Sequence, residues 1–174
     1  HDVIFKEFPA YYPWVDRLIY DFKTKKAIQN ASRLIMTSQA TQSQVEKYYP
    51  NAKGRSVVVY QAVDPAFYGD GHVQRTRETN APYFVYQSSF TQRKNHAVLV
   101  DAFALIQHQT DWNLTLIGLN GPTLAAVQLQ IEKLGLGNRI TCLVDQSRQE
   151  MIDCVTGAAG FVYPSLNEGF GIPL

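Results

Sequence analysis

Apolar runs and amphipathic segments alternate along the second half of the chain. The runs typical of buried strands occupy residues 83–87, 113–118, 139–144 and 160–163. Between them, the pattern predicts helices that begin after Asn95 as the capping residue, at about residue 123, and after Ser147, where Ser147 and Glu150 have capping-box spacing. Strands and helices that alternate in this way form parallel sheets with right-handed crossovers. We therefore predict an α/β fold with a Rossmann-like parallel sheet covered on both faces.

The first third of the chain has a similar alternation. Apolar residues at helical spacing predict an amphipathic helix that ends near Ala31, with an apolar face made of Val15, Leu18, Ile19 and Phe22. Strands are predicted at 33–38 and 56–60, and a capping box at residues 41–44 predicts a helix between them. This part therefore has the pattern of the end of a second α/β domain.

A polar stretch rich in glycine and turn-forming residues separates these two parts. We assign residues 1–66 to the C-terminal part of one domain, 67–81 to an interdomain linker, and 82–174 to the first part of the next domain. The chain opens on His1 without a methionine, so we expect it to be a piece of a longer protein.

Composition argues against several classes of function. The formal net charge is +1 with charges interspersed, so no basic stripe for nucleic acid is present. No apolar run reaches the roughly 18 to 20 residues that a membrane span requires. Cys142, Cys154 and the histidines lack metal-ligand spacing, so we predict no metal site. The two cysteines are expected to be small buried hydrophobes of a reducing compartment.

Two adjacent cations stand at the first strand-to-helix turn of the second half. Arg93 and Lys94 directly precede the helix expected after Asn95. Free backbone N–H groups and the helix dipole at such a terminus favour an anion, and a diphosphate would fit. A solvated cation pair in a polar loop is the alternative that the local sequence leaves open. The second strand-to-helix turn, at residues 118–122, does not have the glycine spacing of a dinucleotide-binding fingerprint. An ordinary turn between a strand and a helix explains it equally well as a binding loop.

The last stretch places a carboxylate between turn residues and a glycine pair. After the strand at 160–163, residues 164–174 read Pro-Ser-Leu-Asn-Glu-Gly-Phe-Gly-Ile-Pro-Leu. Glycines on both sides of Phe170 let the backbone approach a ligand closely. Glu168 could accept hydrogen bonds from sugar hydroxyls and balance positive charge at an anomeric carbon. A carboxylate in a surface turn is the other interpretation of an isolated Glu-Gly pair.

This terminal stretch resembles the donor-sugar loop of the retaining GT-B glycosyltransferases of group 1, also called family four. The resemblance implies that Glu168 is the first glutamate of a Glu-x7-Glu motif whose second glutamate falls beyond Leu174, so this chain alone is expected to be inactive. It also implies that Gly169, Phe170 and Gly171 offer main-chain N–H groups to the donor. Lys94-Asn95 matches the family's phosphate-binding lysine and the residue that follows it. The family often has an arginine where this chain has Ser89, and the resemblance makes Arg93 the substitute for that arginine.

Weaker matches extend the resemblance to the start of the chain. His1-Asp2 is similar to a pair at the acceptor-domain edge, which makes His1 a candidate catalytic residue. Val63, Asp64 and Phe67 match the family's linker pattern. In the phosphate loop, however, Gln87-Ser88 stands where the family usually has glycine.

The resemblance implies a retaining transfer, without metal or cofactor, from a GDP- or UDP-linked sugar to a glycan or lipid-linked acceptor. A mannosyl donor, cell-surface polysaccharide or glycolipid synthesis, and a cytoplasmic location peripheral to the membrane are the further expectations. Aromatic residues near Trp14 could stack on a sugar or lie on that membrane, although ordinary packing accounts for them as well. A nucleotide-sugar epimerase of the same fold and a non-catalytic nucleotide-binding module remain the alternatives.

Overall fold

The computed structural model describes residues 2–67 and 81–171. These residues form two compact units. The first unit contains residues 2–62 together with 167–171, and the second contains 63–67 and 81–166. Both units combine helices with parallel strands, which confirms the predicted α/β class. The domain boundaries inferred from the sequence stay a prediction.

The first unit is a small parallel sheet with three helices. Its regular elements are α1 (Ile4–Glu7), α2 (Trp14–Asn30), β1 (Leu34–Met36), α3 (Gln39–Tyr48) and β2 (Ser56–Val58). Leu34 pairs with Ser56 and Met36 with Val58 in parallel register. A buried cluster that includes Ile28, Met36, Val45 and Tyr49 holds these elements together. Short 3-10 turns at Pro9–Tyr11 and Pro50–Ala52 connect them.

One sequence prediction for the first unit is wrong in detail, and the packing side of α2 was not predicted. α3 begins earlier than the predicted capping box, because the hydroxyl of Ser38 accepts a hydrogen bond from the Thr41 backbone N–H and caps the helix there. The predicted apolar face of α2 is exposed, and Ile28 is the buried residue of that helix. Helical spacing correctly predicted the helix but not the side on which it packs.

The second unit is a four-stranded parallel sheet in the order β5-β4-β3-β6. In chain order its elements are β3 (Tyr83–Gln87), α4 (His96–Ile106), β4 (Asn113–Gly118), α5 (Leu124–Lys133), β5 (Ile140–Val144), α6 (Arg148–Thr156) and β6 (Gly160–Phe161). 3-10 turns occupy Pro65–Phe67 and Gln92–Lys94. A core cluster lies between the sheet and helices α4 and α5 and includes Tyr86, Val100, Leu116 and Val127. A second cluster includes Val85, Ile117 and, on α6, Cys154. The sheet therefore carries helices on both faces.

Local signals in the second unit agree with the structure. β3 and β4 have the predicted bounds, and β5 begins one residue later than predicted. Gly135 follows α5 with a φ of 67°, the left-handed conformation that glycine adopts without strain. Ser147 and Glu150 form the predicted capping box at the start of α6. β3 and β6 pair in parallel, so their carboxyl ends lie side by side.

Candidate functional site

The turn after β3 carries the predicted anion-binding cations. The chain leaves β3 through Ser88 and Phe90, both buried, and enters the 3-10 turn Gln92–Lys94. Arg93 and Lys94 lie in this turn and are half-buried. α4 begins two residues after Lys94. The structure therefore places both cations at the amino end of an 11-residue helix, the arrangement in which dipole and side-chain charge act together on an anion.

Asn95 joins this turn to α4 in an unexpected way. Its φ of 59° is left-handed, a conformation that asparagine tolerates better than most residues. The side-chain amide donates to the Pro164 carbonyl at 3.1 Å and makes no capping bond to α4. The prediction that Asn95 caps the helix with its side chain is therefore wrong. Its amide instead ties the turn to the segment that follows β6.

Tyr86 forms a second tie between the same two segments. Its buried hydroxyl donates to the Lys94 carbonyl at 2.9 Å. The hydroxyls of Tyr86 and Ser165 are 2.8 Å apart. Because the Tyr86 proton is donated to the Lys94 carbonyl, the Ser165 hydroxyl donates to the Tyr86 oxygen. The Leu166 N–H donates to the Arg93 carbonyl at 3.0 Å. Together with the Asn95 amide, these bonds fix the backbone that carries Arg93 and Lys94 against residues 164–166.

His96 lies beneath the turn as a buried aromatic residue. Its ring stacks on Phe90, with centroids 4.4 Å apart, and tilts against Tyr86 at 5.0 Å. The Nε2 atom is 3.1 Å from the Ser88 hydroxyl. Burial, with a contribution from the positive charge of Lys94, lowers the pKa of His96 from 6.5 to about 4. The imidazole is therefore neutral near pH 7 and supports the turn by packing.

Two glycines of the second loop explain how that loop lies so close to the first. A Cβ on Gly118 would lie 1.8 Å from the Ser88 carbonyl oxygen, and one on Gly121 would lie 2.3 Å from the Phe90 carbonyl oxygen. Real side chains do not tolerate such distances to backbone atoms. The glycines that the sequence left without a clear role thus permit direct backbone contact between the two loops.

The predicted donor-sugar loop belongs to the first unit. The Gly169 carbonyl accepts hydrogen bonds from the hydroxyls of Ser38 at 2.5 Å and Thr41 at 2.7 Å. Phe170 stacks on Tyr60 with a centroid distance of 5.8 Å. Gly171 has a φ of 84°, a left-handed conformation that a side chain would strain. The main chain around half-buried Glu168 is therefore held by the first turn of α3.

Two further predicted residues are His1 and Asp64. His1 lies outside the described residues. Asp64, from the linker pattern, pairs with Arg148, and the pKa of its carboxyl is lowered by the Ala66 N–H and then by Arg148. Within residues 2–67 and 81–171, no group of three His, Cys, Asp or Glu side chains could hold a metal ion. None of the helices in those ranges is long and apolar enough to cross a membrane.

Sequence reasoning missed the residues that hold the two loops. Tyr86 has the pattern of an ordinary strand residue, and Ser38 that of an ordinary polar residue after a strand. Their partners lie 79 and 131 residues away along the chain. One signal was available for Tyr86, because a buried tyrosine normally needs a hydrogen-bond partner for its hydroxyl.

Comparison with protein families gives a match that covers the second half of the chain and extends into the first half. The family model described as "Glycosyl transferases group 1" matches residues 71–174. Among curated proteins, the O-antigen chain mannosyltransferase RfbU of Salmonella typhimurium is 26% identical over 171 residues. That alignment covers 95% of this chain and 45% of the relative. The chain thus spans about half the length of the curated relative that it matches.

Solved glycosyltransferases have a similar fold. Anabaena Alr3699/HepE, solved in complex with UDP and glucose, gives a TM-score of 0.76 at 22% identity, with 94% of this chain and 45% of that one covered. WaaG, described as a glycosyltransferase involved in lipopolysaccharide biosynthesis, gives a TM-score of 0.68 at 17% identity. That comparison covers 96% of this chain and 49% of WaaG. At these identities the similarity establishes the GT-B type of fold.

Proposed function

The chain belongs to the glycosyl transferases of group 1, and we propose that it forms part of a retaining enzyme that uses a nucleotide-diphosphate sugar. The observation that carries the proposal is the turn of Arg93 and Lys94, which hydrogen bonds from Tyr86 and Asn95 hold at the amino end of α4. A fixed pair of cations at a helix terminus suits a leaving group that gains negative charge during the reaction.

In the proposed reaction, the glycosidic C–O bond to the nucleoside diphosphate breaks, and the diphosphate takes the electron pair. Lys94, assisted by Arg93 and the N–H groups of the first turn of α4, would stabilise this charge. One such contact in a dry site contributes roughly 3 to 4 kcal/mol of transition-state stabilisation. The leaving phosphate would then accept the proton of the acceptor hydroxyl, which attacks from the same face, so that the anomeric configuration is retained.

The terminal loop would hold the donor sugar. We assign Glu168 to the sugar hydroxyls and to the positive charge that develops at the anomeric carbon. Gly169, Phe170 and Gly171 would contribute main-chain N–H groups, and the fixed carbonyl of Gly169 supports this arrangement. His1 would contact the donor sugar or the acceptor hydroxyl.

The donor, acceptor and location are further parts of the proposal. Similarity to an O-antigen chain mannosyltransferase favours a mannosyl donor and O-antigen synthesis, whereas the UDP and glucose bound by the Anabaena protein favour a UDP-linked sugar. We propose a metal-independent reaction without a cofactor, since cationic side chains serve the diphosphate. The acceptor would be a glycan or a lipid-linked glycan, and the protein would work in the cytoplasm, peripheral to the membrane.

Ligand-observed NMR tests the donor class. The chain would be mixed in turn with GDP, UDP, their mannose and glucose conjugates, and NAD. We expect saturation transfer to one nucleotide sugar and none to NAD. Binding of NAD alone would overturn the proposal. Turnover is tested on a longer chain that continues past the second glutamate: with an acceptor present, net transfer with an unchanged anomeric configuration supports the transferase, whereas inversion at C2 of the free sugar nucleotide indicates an epimerase.

A further inference from the structure

Two hydroxyl groups hold one carbonyl of the terminal loop. The Thr41 hydroxyl donates to the Gly169 carbonyl at 2.7 Å, and the Ser38 hydroxyl donates to the same oxygen. A carbonyl oxygen has two lone pairs, and each hydroxyl has one proton to donate. The two side chains therefore supply a donor for each lone pair of Gly169.

Ser38 and Thr41 are themselves held in place. The Ser38 oxygen accepts the Thr41 N–H at 3.0 Å and so caps α3, which leaves the Ser38 proton for Gly169. Thr41 is 1% exposed, and a β-branched residue within a helix has few rotamers available. Neither hydroxyl can move far from the carbonyl, so together they fix the orientation of one peptide group.

The peptide group lies at the carboxyl edge of the sheet of the first unit. β1 and β2 pair in parallel, and Ser38 and Tyr60 each lie two residues beyond the carboxyl end of their strand. Phe170 stacks on Tyr60 with the ring planes at 27°. All of these residues belong to the first unit. The loop is therefore held on the carbonyl side by two hydroxyls and on the next residue by an aromatic ring, at the edge where α/β sheets bind ligands.

Fixing the Gly169 carbonyl also sets the direction of the N–H group that follows it. A peptide group is planar and trans, so its C=O and N–H point in opposite directions. The Phe170 N–H consequently points away from Ser38 and Thr41. In the proposed function, this N–H is one of the groups offered to the donor sugar.

We propose that Ser38 and Thr41 are positioning residues for the donor sugar, because their grip on the Gly169 carbonyl aims the Phe170 N–H at a sugar hydroxyl. The inference rests on the proposed function and adds to it the residues that make the site prefer a sugar nucleotide over the free nucleoside diphosphate. The diphosphate is assigned to Lys94 in the second unit. The two hydroxyls therefore act on the sugar end of the donor, and the ratio of the two affinities reports their action.

Competition titrations followed by ligand-observed NMR measure this ratio, with UDP against UDP-glucose and GDP against GDP-mannose as probes. Thr41→Val replaces the hydroxyl with a methyl group and leaves Ser38 as the helix cap. It should lower the preference for the sugar nucleotide about fivefold, the effect of one hydrogen bond, and leave the affinity for the nucleoside diphosphate unchanged. Thr41→Ser retains a hydroxyl and should retain the preference. Ser43→Ala, at an exposed serine of the same helix, should behave like wild type.

A second variant keeps the test decisive if Thr41→Val does not fold. Ser38→Asp retains an oxygen that caps α3, but at neutral pH it has no proton for Gly169, so it should also lower the preference. The ratio cancels any loss that affects both ligands alike, including partial unfolding. A merely structural role of the two residues would therefore leave the ratio unchanged.

The possible failures of this proposal can be told apart. An unchanged ratio in Thr41→Val and Ser38→Asp would overturn it, and so would an equal drop in Thr41→Val and Thr41→Ser. Equal affinities of wild type for the nucleoside diphosphate and its sugar conjugate would overturn it while leaving the diphosphate site intact. If the wild-type chain bound neither ligand, the proposed function would fail, and the positioning role with it.

Discussion

Protonation of His96 should destabilise the second unit as the pH falls from 6.5 toward about 4. The ring is buried between Phe90 and Tyr86, and its Nδ1 has no hydrogen-bond partner in the described part of the chain. A protonated ring would need partners for two N–H groups and would lie near the positive charge of Lys94. The folded state therefore keeps the imidazole neutral.

The magnitude follows from the difference between the two pKa values. The pKa of His96 is 6.5 in the unfolded chain and about 4 in the folded chain. Between these values the unfolded state binds more protons, so the free energy of unfolding falls as the pH falls. The full loss is about 3 kcal/mol, and about 2 kcal/mol of it should occur between pH 7 and pH 5. Most carboxylates stay ionised over that interval, so they contribute little.

Urea unfolding followed by Trp112 fluorescence measures this loss. Trp112 belongs to the second unit, and a Trp14→Phe background removes the signal of the first. His96→Phe retains an aromatic ring but cannot be protonated, and it should abolish most of the pH dependence. His108→Gln, at an exposed histidine, should change nothing. An equal loss of stability in wild type and His96→Phe between pH 7 and pH 5 would refute the reasoning.

Substitutions at three further positions test the architecture of the turn, each by urea unfolding with the same probe. Gly118→Ala should lower the free energy of unfolding by about 3 kcal/mol, because its Cβ would lie 1.8 Å from the Ser88 carbonyl oxygen. The control Gly137→Ala has open space around the new Cβ and should be close to neutral. Equal effects of the two substitutions would contradict the close contact at Gly118. Asn95→Gly should lower the free energy of unfolding by about 1 kcal/mol, because the side-chain hydrogen bond to Pro164 is lost. Asn95→Ala should lower it by about 1 to 2 kcal/mol more, because alanine tolerates the left-handed φ less well than glycine. The reverse order of the two variants would contradict this account. Tyr86→Phe should cost about 1 to 2 kcal/mol, and no loss would show that its hydroxyl bonds are weak.

The elements of the fold that depend only on neighbouring residues could be predicted from the sequence. β3 and β4 are short apolar runs between polar residues, and their limits follow from that pattern. Gly135 and the box of Ser147 and Glu150 work through bonds within one helical turn. These elements can therefore be placed from the sequence without knowledge of their neighbours.

Features that depend on distant partners could not be predicted. Asn95 is equally suited to a helix cap and to a left-handed turn, and the choice depends on the Pro164 carbonyl, 69 residues away. The spacing that predicts α2 identifies an apolar side but not what covers it, and Leu18 and Phe22 on that side are exposed in the described part of the chain. The roles of Lys94 and Glu168 stay predictions that follow from the family resemblance, because backbone conformation and packing do not identify the group that a side chain binds.

Calorimetric titration of the nucleotide sugar into the chain and two lysine variants tests the central claim most directly. We predict that Lys94→Ala weakens binding roughly 10- to 100-fold, the loss of one charge-assisted hydrogen bond. Lys133→Ala, an exposed lysine at the end of α5, should bind like wild type. Equal affinities of wild type and Lys94→Ala would contradict the assignment of the Arg93–Lys94 turn as the diphosphate site.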